Sequence, residues 1–163
     1  MSTDIDVIDI AAGIAPGSAR DQLRAERADI RKHAKGCQGA LFAPSDDAGL
    51  TPAERYAVAL WVARLDGSDA LARLYRDGLI AEAGHDLVAQ AETDPEAHPR
   101  LRRLLDHAAL LTAEPARATP EHLAALAEVG LSTRAIVVLS QLIGYVSFQT
   151  RLVSGLNLLS AGD

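Results

Sequence analysis

One segment, residues 50–79, constrains the fold of this chain more than any other: LTPAERYAVALWVARLDGSDALARLYRDGL. Thr51, Pro52 and Glu54 stand at the N-cap, first and third positions of a helix start, where each of these residue types is favoured. Residues 56–63 follow without a charged side chain and make the helix apolar around its whole circumference. Such a helix belongs at the centre of an α-helical domain.

A second helix follows the first after a short break. Asp66-Gly67 ends the first helix, Ser68 or Asp69 caps the next one, and Gly84 ends it. The two helices form a hairpin near the middle of the chain, called the core hairpin below.

The rest of the chain also favours helices. With 163 residues it is long enough for one domain with a real core, and 48% of its residues are hydrophobic but only 4% aromatic. Alanine and leucine dominate and are strong helix formers. Further helix starts occur at Asp94-Pro95, at Thr119-Pro120 and at Ser132, the last before a helix over residues 133–159. The sequence therefore predicts an all-α, multihelical domain.

The N-terminal third is read as an arm followed by a charged surface helix. Residues 1–17 alternate apolar and acidic residues, which predicts an extended N-terminal arm, and residues 18–163 form the helical domain. A capping signal at Ser18 starts a helix over residues 19–35. Gly36 is expected to stop it, before a short separate helical segment.

Charge and composition exclude several functions. The net charge of −6 and the absence of a Lys/Arg cluster argue against nucleic-acid binding. The most apolar run, residues 135–150, contains Ser140, Gln141 and Gln149 and is expected to be a buried helix, not a membrane span. One cysteine makes neither an internal disulfide nor a cysteine-rich zinc site, so a cytoplasmic location is expected.

The last helix has one informative face. At alternating steps of four and three residues along it lie Ser140, Gly144, Ser147, Arg151 and Ser154. Small residues at this spacing allow close approach of another helix, within the subunit or in a homo-oligomer. The alternative is a pocket beneath this face, lined by Gln141, Tyr145 or Arg151. Arg151 needs an anionic partner or a route to solvent, and Glu54 or Asp66 is the expected internal partner.

Three stretches resemble the alkylhydroperoxidase D-like and carboxymuconolactone decarboxylase superfamily, and most of all its single-domain peroxidase-related branch. They are KGCQGALFAP at residues 35–44, the core hairpin, and GLSTRAIVVLSQLIGYVSFQTRLVSGL at residues 130–156, with an aromatic–Gln–x–Arg element at residues 148–151. Their order covers nearly the whole chain beyond the arm. The resemblance implies that fold and a homo-oligomer.

The catalytic motif of that superfamily is missing. Active relatives carry Cys-x-x-Cys and, four residues later, a histidine, since a thiolate at a helix start needs a resolving thiol and a proton carrier. The corresponding positions here are Ser68, Leu71 and Tyr75. Thiol peroxidase activity by this mechanism is therefore not expected.

The remaining chemistry-bearing residues are sparse. Cys37 follows His33 by four residues, which is a weak nucleophile–base pair if Gly36 does not break the helix; otherwise Cys37 is a small buried apolar residue. No histidines have metal-ligand spacing, and no cofactor fingerprint occurs. Neither a metal nor a cofactor is expected.

Two hypotheses follow. In the first, the protein is a catalytically degenerate member of the superfamily, serving as an oligomeric scaffold or as partner of an active peroxidase-related protein. In the second, it is a cysteine-independent enzyme of decarboxylase or proton-transfer type, with a small-molecule pocket between the core hairpin and the last helix. The residues that such a pocket would use are Glu54, Ser68, Tyr75, Gln141, Tyr145 and Arg151.

Overall fold

The computed structural model describes residues 6–93 and 98–159, with side chains for residues 6–84 and 98–159. Within these ranges the chain forms eight α-helices and no strand, which confirms the predicted all-α class. In chain order the helices are α1 (Val7–Ala11), α2 (Ala19–Ala25), α3 (Ala28–Phe42), α4 (Pro52–Leu65), α5 (Asp69–Thr93), α6 (Pro99–Ala113), α7 (Pro120–Glu128) and α8 (Thr133–Leu158).

Helix α4 lies at the centre of the domain, as predicted. Thr51 Oγ1 accepts a hydrogen bond from the backbone N–H of Glu54, and Thr51 N donates to Glu54 Oε2 at 2.9 Å, so the predicted capping box is formed. Six side chains between residues 57 and 63 are at most 2% exposed. The helix packs against α5, α6 and α8, and this burial on all sides explains its apolar circumference.

Glycines end the helices of the core hairpin where the sequence predicts. Gly67 lies between α4 and α5 with φ +72°, and Gly84 interrupts α5 with φ +77°. Both are left-handed backbone conformations that a Cβ disfavours. The predicted helix start at Asp94-Pro95 lies outside the described residues.

The N-terminal region differs from the prediction. Residues 7–11 are helical and not extended, because Asp6 caps α1 by accepting a hydrogen bond from Ile8 N at 3.0 Å. The alternating pattern instead buries Ile8 against α8 and the rest of the core, while Ile10 stays exposed. The division of the chain at residue 17 stays a prediction.

The predicted helix over residues 19–35 is also wrong in its bounds. It is interrupted between α2 and α3, at residues 26–27, and α3 then runs through Gly36 to Phe42 without a break. A glycine inside a helix costs only about 1 kcal/mol relative to alanine, which the packing of α3 can offset.

Helix α8 is the one described helix with the length and composition to cross a membrane. Half of its most apolar window is buried inside the domain, where α8 packs on α1, α4 and α6. This is the placement of a core helix, which agrees with the prediction for residues 135–150.

A buried arginine holds the loop that leads into α4. Arg55 is only 1% exposed. Its guanidinium donates to the carbonyls of Leu41 (2.7 Å), Asp47 (2.5 Å) and Leu50 (3.0 Å). Burial lowers the pKa of Arg55, but an arginine remains charged. These three bonds join the end of α3, the loop and α4.

We predict that Arg55→Met lowers the free energy of unfolding by about 3 kcal/mol or more, because the buried carbonyls of Leu41 and Leu50 and the part-buried carbonyl of Asp47 lose their donor. Chemical denaturation measures the change. Arg64→Met, at an exposed position of the same helix, should cost far less. Equal losses in the two variants would contradict the assigned role of Arg55.

Candidate functional site

The three positions that correspond to the superfamily motif lie in the core. Ser68, immediately before α5, is 8% exposed, Leu71 is fully buried and Tyr75 is 2% exposed. Leu71 belongs to the main hydrophobic cluster of the domain. The core hairpin therefore brings these residues together as packing residues, and neither Ser68 nor Leu71 faces open solvent.

Tyr75 is held by a hydrogen-bond network that spans three helices. Its hydroxyl donates to Gln149 Oε1 on α8. Gln149 Nε2 donates to Gln38 Oε1 on α3 at 3.2 Å and to the Tyr145 hydroxyl at 3.1 Å. Tyr145 in turn donates to the carbonyl of Ala34 at 2.9 Å. Gln149 is fully buried, and both its amide oxygen and its amide nitrogen are hydrogen-bonded. The network therefore joins α3, α5 and α8.

Aromatic rings pack directly on this network. The Phe42 ring stacks on Tyr75 with 5.2 Å between centroids and contacts Tyr56 at 5.0 Å. The Tyr56 ring lies over Gly78, where an added Cβ would come within 2.2 Å of it. Gly78 therefore provides the space that the Tyr56 ring occupies.

The phenol groups of Tyr56, Tyr75 and Tyr145 remain protonated at neutral pH. Burial raises the pKa of Tyr75 well above its usual range. Burial also raises the pKa of Tyr145, with the neighbouring Cys37 and Asp6 adding to the effect. The pKa of Tyr56 is raised by burial and then by the charge of Glu82. None of the three is poised to act as a base.

A cleft of about 400 Å³ opens beside the network, between the start of α1, helix α3, α4 and α8. We call it the α3 cleft. The side chains that give it its chemical character are Asp6, Lys35, Gln38, Phe42, Tyr56 and Tyr145. Its volume falls in the range of small-molecule sites, about 300–1,000 Å³. The cleft is thus lined by three aromatic rings together with Lys35 and Gln38, which lie one turn apart on α3, and Asp6.

An ionic cluster, which the sequence analysis missed, fixes the α1 wall of this cleft. Arg24 Nη2 lies 3.2 Å from Asp6 Oδ2, and Arg24 also pairs with Asp9. Arg31 pairs with Asp9 and, at 2.9 Å, with Asp21. Asp6, Asp9 and Arg24 are buried, so α2 and α3 each direct an arginine to the carboxylates around α1.

The other predicted pocket residues do not meet in one place. Tyr145 lines the α3 cleft, whereas Gln141 is exposed beside a separate open groove and Arg151 is exposed on α8. Glu54 serves the capping box and accepts from Arg100 Nε at 2.5 Å.

The expected internal partners of Arg151 are engaged elsewhere. Glu54 pairs with Arg100, and Asp66 Oδ2 accepts a hydrogen bond from Thr150 at 2.8 Å. Of the two options stated for Arg151, a buried ion pair or a route to solvent, its exposure corresponds to the second.

Cys37 and His33 lie on the continuous helix α3, four residues apart and both exposed. The expectations that Gly36 breaks the helix and that Cys37 is buried are both wrong. The single turn between them puts the two residues on the same side of α3. The α3 cleft is lined by the next residue, Gln38.

Comparisons with known proteins identify the fold and leave the activity open. No family model matches the sequence, and no curated protein matches it. Among solved structures, the crystal structure of an uncharacterized peroxidase-related protein from Silicibacter sp. TM1040 is similar, with a TM-score of 0.71. The identity is 18% over 80% of this chain and 70% of that chain. The chain therefore shares the fold of a peroxidase-related protein.

We predict that Tyr75→Phe lowers the free energy of unfolding by about 1–3 kcal/mol, because it leaves the buried Gln149 oxygen without its donor. Thermal or denaturant unfolding checks this. Tyr56→Phe is the matched control, since its ring packs in the same aromatic group but is only partly buried. A Tyr75 variant as stable as the Tyr56 variant would show that the network adds nothing.

Proposed function

We propose that this protein is a catalytically degenerate member of the alkylhydroperoxidase D-like and carboxymuconolactone decarboxylase superfamily. The shared fold of a peroxidase-related protein supports the placement. Neither the decarboxylase activity nor the peroxidase activity is carried over with that fold.

The observation that carries the proposal is the state of Ser68, Leu71 and Tyr75. A dithiol peroxidase needs two thiols that approach each other and a proton carrier. Here one position is a buried hydroxyl, one is a core leucine and one is a phenol bonded to Gln149. The one cysteine of the chain, Cys37, is exposed on another helix and has no second cysteine to resolve it.

We further propose that the protein acts as a homo-oligomeric scaffold, or as partner of an active relative, in the cytoplasm. The outer face of α8 supports an interface, because Val137, Phe148 and Leu158 are 50%, 41% and 76% exposed. Gly144, also exposed, lies on the same face and would allow close approach of a second helix. Of the small residues noted in the sequence, Ser147 is buried inside the subunit instead.

The second candidate is a cysteine-independent enzyme of decarboxylase or proton-transfer type. The α3 cleft favours it, since Tyr56 of the core hairpin and Tyr145 of α8 both line this cleft beside α3. The raised pKa of Tyr145 and the pairing of Glu54 with Arg100 count against a ready base. For this reason we place the enzyme second.

We predict no reduction of hydrogen peroxide or an organic hydroperoxide above background when a dithiol donor is supplied, because the hairpin holds no thiol. Loss of donor absorbance or of peroxide measures the reaction. Cys37→Ser should behave as the unaltered protein does. Turnover that disappears in Cys37→Ser would mean that the exposed thiol is catalytic, and turnover that survives would mean a reaction without thiols; both contradict the proposal.

We predict that the protein sediments as an oligomer at micromolar concentration and that Phe148→Asp shifts it toward the monomer, because a carboxylate would be buried in the interface. Analytical ultracentrifugation measures the mass. Leu123→Asp, at a similarly exposed apolar position on α7, is the control and should leave the mass unchanged. A monomeric unaltered protein would overturn the scaffold proposal.

A further inference from the structure

We propose that α8 pairs with α8 of a second copy of this chain in antiparallel orientation, about a two-fold axis that passes beside Val146. This inference rests on the homo-oligomer proposed above and adds the orientation and the register of the contact. In that register Phe148 lies over Gly144 of the partner subunit, and Val137 lies over Gly155 of the partner subunit. A regular line of exposed residues, two open glycines and the placement of charge carry the inference.

The exposed side of α8 follows a seven-residue repeat. From Arg134 to Leu158 an exposed residue stands at every step of three and four in turn, and the residues on either side of this line are mostly buried or half-buried. We call this line the α8 seam. A spacing of 3.5 residues is the one at which two helices stay in contact along their length. The seam, about 36 Å long, therefore fits a second helix of the same length.

Two glycines on the seam have no role inside their own subunit. A Cβ added at Gly144 or at Gly155 would meet no atom within 4 Å, and neither residue has a positive φ. Glycine is disfavoured inside a helix relative to alanine, and nothing in the subunit requires it at these two positions. The space beside each glycine is open to a side chain from outside the subunit.

The large apolar residues of the seam lie at the positions that fill these spaces when the seam is reversed. Phe148 and Gly144 are equally far from Val146 in sequence, and so are Val137 and Gly155. An antiparallel partner that overlaps the whole seam thus places each apolar side chain, 41% and 50% exposed in the single subunit, on a glycine. This complementarity of a surface with itself is characteristic of a two-fold interface and makes a second copy the partner.

Charge on the seam favours the same orientation. A parallel pair would place Arg151 against Arg151 of the partner subunit, and apposed like charges are costly. The antiparallel pair places Arg151 opposite Gln141, whose side-chain oxygen can accept a hydrogen bond. Arg134, at the end of the seam, bonds to Asp46 of its own subunit at 2.7 Å. Helix α8 contains no acidic residue, so the net negative charge of each copy lies outside this contact.

Helix α3 offers a weaker surface. It also has two exposed glycines with open space beside them, Gly36 and Gly39. The exposed residues one turn before Gly36 are Lys32 and His33, and this surface has no large apolar side chain that could fill the glycine of a second copy. The α8 seam combines the open glycines with the residues that fit them.

Disulfide cross-linking tests the orientation. In a Cys37→Ser background, Gln141→Cys and Arg151→Cys chains are co-expressed with different tags and mildly oxidised. We expect a disulfide between the two differently tagged chains, because these positions face each other across the axis. Either variant alone should not cross-link, since in an antiparallel pair the two copies of residue 141 lie about 15 Å apart along the helices, beyond the span of a disulfide.

A matched pair tests the register. Gln141→Cys co-expressed with Leu158→Cys would cross-link only if the helices were displaced by seven residues, about 10 Å. We expect little of this product. Leu123→Cys on α7, exposed to a similar extent as Phe148, is the control away from the seam and should not cross-link to Gln141→Cys.

The glycine spaces are tested by filling one of them. Gly144→Leu should weaken self-association at least tenfold in sedimentation, because the new side chain occupies the position of Phe148 of the partner subunit. Its thermal unfolding should show an intact fold, since the added Cβ meets no atom of its own subunit. Asn157→Leu, at an exposed position of α8 beside the seam, should change the association less than threefold.

Four results would overturn the inference. Cross-linking of Gln141→Cys with itself would indicate a parallel pair, and preferential cross-linking to Leu158→Cys would indicate another register. An oligomer that gives none of these products, or that tolerates Gly144→Leu, would use another surface; the homo-oligomer would then stand and this pairing would not. A monomer in sedimentation would remove both. Peroxide turnover would contradict the loss of catalysis alone and leave the cross-linking result unchanged.

Discussion

The position of α4, and with it the whole core, depends on how the chain enters that helix. Arg55 and Arg100 control this entry from two sides: Arg55 bonds to carbonyls at the end of α3 and in the loop, and Arg100 bonds to Glu54, to the Gly49 carbonyl at 2.6 Å and to the Val129 carbonyl at 3.1 Å. Backbone carbonyls in a loop have no helical partner, and burying them without donors would be costly. The guanidiniums of Arg55 and Arg100 donate to several of these carbonyls at once, since each guanidinium has five N–H donors in a fixed plane. An ammonium group would not span the same separate acceptors.

Features that act over a few residues could be predicted from the sequence, and features that join distant residues could not. The Thr51–Glu54 capping box and the glycine at position 84 are local signals, and both appear where they were expected. The extended conformation predicted for residues 6–10 was wrong because alternation of apolar and acidic residues is typical of a strand, whereas Asp6 forms a helix cap. Gly36 does not end the helix as expected, because the free-energy cost of a glycine there is small compared with the stabilisation that packing gives to α3. The role of Arg55 needs the positions of three carbonyls, which no spacing rule provides.

The candidate site shows the same division. That Ser68, Leu71 and Tyr75 are core residues follows from their place on the core hairpin, and the structure buries all three. The cleft, in contrast, depends on contacts between residues far apart in sequence: Gln38 and Gln149 are separated by 111 positions. In the sequence, Gln149 stood out only as part of the aromatic–Gln–x–Arg element at residues 148–151. Nothing in the sequence indicated that its amide would orient Gln38. Polar residues with two possible orientations acquire a defined one only through their neighbours.

The ionic cluster around α1 has a consequence for cooperativity. A helix of five residues is far below the length at which a helix persists by itself in water, so α1 exists only while it is docked. Its docking relies on Arg24 and Arg31, which belong to two other helices, and on the burial of Ile8. Undocking would therefore melt α1 and remove one side of the α3 cleft in the same step. Helix α1 and the side of the cleft that it forms therefore make up a single local unfolding unit, which would open without disturbing α4.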